Sequence, residues 1–549
     1  MGRFAVRVLV ALVVAFALAP AVAFASSGAS AAASDAYWSA AGAPDPYAAV
    51  SGVEHLNYAA GPYTVTPGAN LILLDYKHVP KPKVDGFMVR MAPSLRYALP
   101  NGKCCGKVPL TSIIHLHHGV WLSNGTAGEG EGDTYGGAGG FYPFMGVGEE
   151  KTVYQLPPGY GYPIGAHDFW VLNYMIHNLT DRASQVYITY DLDFIPATSP
   201  LASAITPAHP IWMDVEDHHI YSVFNVQKGS GRNGVFTFPD MAKHPYGNRA
   251  PLNEFTIDHA GVLLGTAGHL HPGGLYDELD LIRAGAKAGG GAIPGTVGDS
   301  VRLFRSYAHY FDKGGPISWD LAMTATPGDW RPEVKPGDVL RISATYDSRI
   351  ASWYEVMGIM VVWEAWGDTR GVNPFTHRLD QQGVITHSRL HENIDHGGMA
   401  WIGVNPTAAP ECAAKKVLIV GFHYVPGGFD KGDPSNCIPT INKGQSLTFQ
   451  NEDANPMGTF GGFDSVPLTP NPFYLQSIFH TVTSCAGPCN RNYGIGYPLA
   501  NGWFDSGQLG AGTPAVGRLT WTTQRSLPPG TYYFFCRIHP WMRGVFRIL

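Results

Sequence analysis

Phe535-Cys536-Arg537-Ile538-His539-Pro540-Trp541-Met542-Arg543-Gly544, close to the C-terminus, carries the pattern Cys-x2-His-x2-Met. An apolar run, Thr531 to Phe535, precedes it, and a second, Val545 to Leu549, follows. Both read as strands, so the three side chains share one tight loop. A thiolate, an imidazole and a thioether in that setting form most of a type 1 copper site. Such a site is trigonal in two His and one Cys, with a weak axial Met. The second imidazole has to come from an upstream strand, and His480 in Ile478-Phe479-His480-Thr481-Val482-Thr483 is the natural candidate. The expected ligands are therefore His480, Cys536, His539 and Met542. A buried structural cysteine with incidental neighbours would not explain three ligand types at working spacing beside strands.

The loop and its upstream histidine resemble the short-loop, amicyanin-like cupredoxins over roughly Cys412 to Leu549. That resemblance implies a Greek-key β-sandwich with one blue copper and a redox partner or small-molecule reductant. The chain has 549 residues, which leaves room for further domains. Charged residues are only 15 %, while Gly (67) and Pro (43) are abundant, a balance that suits strands and turns rather than long helices. Net charge is −6 with no basic block, which argues against a nucleic-acid partner.

Arg3 and Arg7, the apolar run Val8 to Ala19, and Ala23-Phe24-Ala25 read as a secretory signal cleaved after Ala25. The apolar run is too short for a membrane span, so a secreted, extracytoplasmic protein is expected. Residues 26–44 read as a flexible linker. An oxidising compartment suits disulfides. With Cys536 reserved for copper, six cysteines remain: Cys485 and Cys489 could close a short loop, and Cys412 could pair with Cys437. The adjacent Cys104 and Cys105 stay open, since connectivity does not follow from sequence.

Alternating, β-branched runs recur at 63–74, 112–122, 168–178, 185–194, 261–270, 339–346 and 356–363, separated by turn-rich stretches such as 123–140 and 285–298. The expected organisation is two β-sandwich domains at 45–200 and 201–370, a linker at 371–410 and the cupredoxin at 411–549. The fold class is mainly β.

Several of the 22 histidines cluster in strand-like contexts. In Gly268-His269-Leu270-His271-Pro272-Gly273-Gly274, strand alternation places His269 and His271 on one face, able to reach one metal. In Ile113-Ile114-His115-Leu116-His117-His118-Gly119, alternation favours His115 with His117, whereas His117 with His118 needs a locally distorted strand. His177 ends a further strand, Trp170 to Asn178.

A His-His pair, a later strand His, then His-x-His and a Met resemble the copper type II, ascorbate-dependent monooxygenases. That family implies two jelly-roll domains facing each other across a cleft. It also implies an all-imidazole copper on His117, His118 and His177, with His115 as the alternative from spacing. A second, O2-activating copper would sit on His269, His271 and Met357, with Met360 as runner-up. The resemblance further implies C–H hydroxylation of a small organic substrate with O2, so up to two coppers beyond the blue one. Pro272 stands where the animal enzymes carry another His, and none of their substrate-binding residues is recognisable. Phe144-Met145-Gly146-Val147-Gly148-Glu149-Glu150, Leu156-Pro157-Pro158-Gly159-Tyr160-Gly161 and the His269 segment also look like the stress-up-regulated nodulin family, which shares that fold.

Asp217-His218-His219 and His391-Glu392-Asn393-Ile394-Asp395-His396 are weaker metal candidates, and His387 and His244 weaker still. A multicopper oxidase is disfavoured, because Phe535 and Arg537 flank Cys536 where a His-Cys-His run is needed. The competing expectation is a non-catalytic blue-copper electron carrier on a monooxygenase-like scaffold.

Overall fold

The structure is a computed structural model. It describes residues 47–66, 69–111, 113–125, 140–180, 182–215, 223–240, 251–283, 300–311, 320–387, 409–429, 437–453, 479–487, 489, 500–510 and 518–549. The signal and linker expected before residue 45, Asp217-His218-His219, His244 and the His391 to His396 group lie outside the described residues. Among the described residues there is no α-helix, only a 3-10 turn at Ala202–Ala204, and the mainly β expectation holds. No helix there is long and apolar enough to cross a membrane.

Three apolar cores organise the strands. The first lies between two sheets. One contains Glu54–Val65, Ser184–Pro196, Gly86–Tyr97 and Tyr160–Ile164; the other contains Asn70–Asp75, Trp170–Asn178, Ile114–Ser123 and Tyr142–Val147. Trp121, Phe144, Tyr162, Tyr190 and Phe194 fill it. The second core lies between a sheet of His209–Asp214, Gly358–Trp366 and Gly261–Gly265 and a sheet of Val339–Asp347, Gly274–Ile282, Ser300–Tyr310 and Leu321–Ala325. Leu279, Phe304, Ile342, Tyr346 and Met360 are buried there. Each large apolar side chain removed from water contributes about 2–3 kcal/mol, so these aromatic-rich layers fix the sheet pairing.

The strand Ile114–Ser123 is buried at every position. A strand with one face to water would alternate. Here the second face is covered by the second sandwich: Val120 and Leu122 pack with Trp212, Met357 and Ile359 in a smaller seam cluster. The histidines of this strand are thereby taken out of solvent.

The third core, Phe449, Phe534, Phe546 and Tyr424, lies between a six-stranded sheet, which includes Gly530–Phe535 and Arg543–Ile548, and a four-stranded sheet, which includes Lys416–Val420 and Thr448–Asn451. Residues 371–387 are integrated into the fold. Leu379 enters the second core, Val384–Ile385 pairs with Leu321–Ala325, and Thr386 Oγ1 donates to the Glu150 carbonyl at 2.6 Å. The His387 Nε2–H lies 2.9 Å from the Leu321 carbonyl and 3.3 Å from that of Glu149, so this ring serves as a backbone clamp.

Cys412 is bonded to Cys437, Cys485 to Cys489, and Cys104 to Cys105; Cys536 is the free thiol among the described residues. Cys412–Cys437 ties the edge strand Glu411–Ala413 to the strand Ile438–Ile441 beside it. Replacing both cysteines by Ala should lower the stability of the C-terminal sandwich by about 3 kcal/mol through the freed loop, with Cys536 and its neighbours untouched. Differential scanning calorimetry checks this.

Candidate metal centres

The strand Gly530–Phe535 delivers Cys536 into a loop that closes on itself. The Cys536 N–H donates to the Met542 carbonyl at 3.0 Å, and the Met542 N–H donates to the His539 carbonyl at 2.9 Å. His480 is held by a two-way backbone bridge to Leu509, at 3.0 and 2.8 Å. These anchors bring Cys536 Sγ to 3.9 Å from His480 Nδ1 and 3.6 Å from His539 Nδ1, with the two Nδ1 atoms 3.1 Å apart. All three residues are buried, and among the described residues they are the one group of His, Cys, Asp or Glu whose donor atoms all lie within 4.8 Å. Met542 is fully buried in the same core cluster as Cys536.

The Thr481 N–H points at Cys536 Sγ, 3.4 Å away. His480 Nε2 meets Asp453 Oδ2 at 2.8 Å, which leaves Nδ1 as the metal-facing nitrogen. Burial opposes a charge on His480, but the hydrogen bond and charge of Asp453, with help from Cys536, outweigh it and lift its pKa to about 9. Asp453 is itself held by the N–H groups of Gly421 (2.6 Å) and Phe422 (3.0 Å). The Phe422 ring covers His539 and stacks on Trp541, so water is kept from the site. Two imidazoles, one thiolate and a buried thioether behind an aromatic screen fit copper.

The second group spans the seam between the first two sandwiches. His115, His117, His118, His177, His269 and His271 are all buried. The register of Ile114–Ser123 against Trp170–Asn178 slips between Leu116 and His118, leaving His117 as an extra residue. A bulge re-aims its side chain. The ring of His117 stands 6.2 Å from His115, 5.8 Å from His118, 6.3 Å from His177 and, across the seam, 4.0 Å from His271. His269 and His271 face each other through their Nε2 atoms at 3.2 Å. Two imidazole nitrogens at that distance need a shared proton or a shared cation.

Two adjacent carboxylates orient this nest. Glu150 Oε2 holds His269 Nδ1 at 2.9 Å, which turns the Nε2 lone pair toward His271. Glu149 Oε1 faces His115 Nε2 at 3.3 Å, while His115 Nδ1 donates to the Thr111 carbonyl at 2.7 Å. His115 thus gives its Nδ1 proton to a carbonyl and turns Nε2 toward Glu149. Burial, then the neighbouring Glu150, hold the Glu149 carboxyl well above the usual range. Burial also holds His115, His117 and His271 well below the usual imidazole value, and takes His118 to about 3 and His177 to about 4. Neutral imidazoles keep their lone pairs for a metal.

Met357 is buried in the seam cluster with Ile359 and Val120. Its segment is tied to His271 by one hydroxyl: Tyr346 OH donates to the Met357 carbonyl at 2.5 Å and accepts the His271 N–H at 3.2 Å. Met360 lies in the second core. Beside the nest a cavity of about 200 Å³ opens between the sandwiches. His118, His269 and Glu150 form its polar end, and Trp212, Trp363 and Leu264 are among the side chains of its apolar wall.

Sequence reasoning missed Asp453, Glu149, Glu150 and Tyr346. Only the paired Glu at the end of an apolar strand gave a signal, since two adjacent acids there have to find partners.

No protein-family model matches the chain, and no curated protein matches it. Among solved structures, the Cu(I) form of an amicyanin mutant aligns at 14 % identity over 27 % of this chain and 94 % of that chain, with a TM-score of 0.14. A Cu-containing nitrite reductase (NirK) from Thermus scotoductus SA-01 aligns at 14 % identity over 52 % of this chain and 55 % of that chain, TM-score 0.15. The VP2 subviral particle of infectious bursal disease virus aligns at 11 % identity over 61 % and 78 %, TM-score 0.17. Likenesses this weak carry no argument, and the copper reading stands on the ligand geometry.

A Cβ on Gly148 would lie 2.5 Å from His269 Cε1, 2.6 Å from the His117 carbonyl and 2.9 Å from Glu150 Oε2. Gly148→Ala should therefore displace the nest, and, if the nest takes up metal, weaken that uptake by about 10–100-fold with the Cys536 site intact. Metal titration read by EPR checks this. A second expectation concerns acid. The unfolded chain takes up protons at histidine below about pH 6.5, whereas His118 and His177 resist protonation to about pH 3 and 4. The metal-free protein should lose stability as pH falls below 6.5, each such imidazole removing about 1.4 kcal/mol per pH unit. Urea midpoints at pH 7 and pH 5 check the sign.

Proposed function

We propose that this chain is an extracytoplasmic copper-dependent oxidoreductase that oxidises a small, largely apolar organic molecule with O2. The observation that carries this reading is the pairing, in one chain, of a Cys-His-His-Met site with a buried six-histidine nest that opens onto a cavity. A site of the first kind suits single-electron traffic, because its ligands are locked by the loop, by the His480–Leu509 bridge and by Asp453. The nest offers neutral imidazoles from two sandwiches, with Glu150 orienting His269.

The net reaction is R–H + O2 + two electrons + two protons → R–OH + H2O. Copper in the nest, when bound, would supply O2 activation and one-electron redox chemistry. The protein's own groups do the rest. His269 and His271, with Met357 from the adjoining segment, would hold the copper that faces substrate, and a thioether among these ligands would favour Cu(I). His117, His118 and His177 would hold the other. The apolar wall around Trp212 and Trp363 would seat the substrate and exclude water. His480, Cys536, His539 and Met542 would hold the type 1 copper, fed by a redox partner or small reductant.

A second reading, a blue-copper electron carrier on an inert scaffold, draws on one observation. Among the described residues, only the Cys536 trio has donor atoms gathered within 4.8 Å. Copper stoichiometry with visible and EPR spectra on the mature protein and on Cys536→Ser separates the two. Three coppers per chain, with the blue band lost in the variant and two non-blue signals kept, is the expected result. One blue copper and nothing else would replace the oxidoreductase with the carrier.

A further inference from the structure

The two metal-binding regions touch at a defined point. Ile538 stands between the ligands Cys536 and His539, and its carbonyl accepts a hydrogen bond from His177 Nε2–H at 3.0 Å. Both residues are buried. The carbonyl carbon of Ile538 is bonded to the backbone nitrogen of His539, so the path from that ligand to an imidazole of the nest crosses covalent bonds and one hydrogen bond. The proton fixed on Nε2 leaves the His177 lone pair on Nδ1, and the ring lies 5.1 Å from His115 and 6.3 Å from His117.

The residue before Ile538 pins this contact. The Arg537 guanidinium lies 3.9 Å from the centre of the Trp353 ring and donates to the Ser352 carbonyl. Its backbone N–H donates to Thr481 Oγ1 at 2.9 Å, beside His480. Ala500 of the C-terminal sandwich also packs against the second core. The loop is therefore clamped to both N-terminal sandwiches.

We infer that the Ile538–His177 hydrogen bond is the route by which electrons pass from the Cys536 site into the histidine nest, and that Arg537 on Trp353 is the latch that keeps the route closed. This rests on the reading that the nest holds copper. One electron leaves the reduced Cys536 site and arrives at an oxidised copper in the nest. No bond breaks and no proton moves, because Nε2–H stays on His177. Tunnelling falls off far more steeply across an open gap than along covalent and hydrogen bonds, so loss of docking slows transfer. Arg537 acts as a positioning residue.

The test uses the copper-loaded full chain. The blue copper is flash-reduced, and its reoxidation is followed at several protein concentrations. The decay should be first order and independent of concentration. Arg537→Gln should slow it by about tenfold, the loss expected for one cation–π contact and one charged hydrogen bond. Arg537→Lys should recover part of the rate, with the blue spectrum and copper content unchanged in both variants. A rate proportional to protein concentration, or one indifferent to Arg537→Gln, overturns the relay. EPR on the same samples separates the causes: an empty nest sinks the proposed function together with the relay, whereas a filled nest with an unaltered rate sinks the relay alone. A metal-free readout is the His177 Nε2–H resonance in 15N–1H NMR. It should be protected from solvent exchange and lose protection in Arg537→Gln; rapid exchange in the parent protein would rule the contact out.

Discussion

Burying imidazoles against one another is the constraint on which the N-terminal half is built. An imidazole out of water needs its nitrogens satisfied, and six of them are buried at one seam. The surroundings answer part of the demand. Thr111 and Glu149 take His115, Glu150 takes one side of His269, and Ile538 takes one side of His177. Across the seam the His117 and His271 rings meet at 4.0 Å, and His269 faces His271 through Nε2 at 3.2 Å, so imidazoles of both sandwiches converge. That convergence is the chemical argument for metal. It also explains why the strand carrying His115 to His118 is buried on both faces and why Gly148 is kept small beside it.

In the C-terminal sandwich the gathering of His480, Cys536 and His539 was legible because two of them crowd into one loop. Cys536, His539 and Met542 lie within a single turn between two apolar runs, and that spacing carries geometry with it. His480 was reachable because strand context limits the choices. Asp453 was not, since its role depends on a loop crossing that sequence separation hides. The N-terminal half was harder. Strand alternation pairs His115 with His117, but a register slip at Leu116 and His118 breaks the alternation that such reasoning assumes. A bulge has no local sequence signature here. The stretch 371–410, polar and turn-rich, reads as a linker; its described part 371–387 supplies an edge strand and caps the Glu149–Glu150 backbone. Composition reports polarity, and these residues use polarity inward.

The same logic of paired shells recurs at both centres. His480 and His269 each have one nitrogen held by a buried carboxylate and the other turned inward, although they sit in unrelated sandwiches. In each case the carboxylate fixes the tautomer and stiffens the ring, so the ligand is aligned before any ion arrives. The difference lies in charge. Asp453 lifts its histidine to about 9, whereas burial takes His118 to about 3 and His177 to about 4.

Tyr346 brings a consequence for how this protein can change over time. Its hydroxyl serves the backbone of His271 and of Met357 at once, while its ring is part of the second core and meets Phe224 edge-on. The interior of that sandwich and the spacing of two candidate ligands are therefore a single mechanical unit. Substitutions that repack the core around Phe224 would be transmitted to the seam even when they lie far from any histidine. The sandwich is less a neutral scaffold than a gauge block whose thickness sets the site, and its sequence is free to drift only along combinations that preserve that dimension.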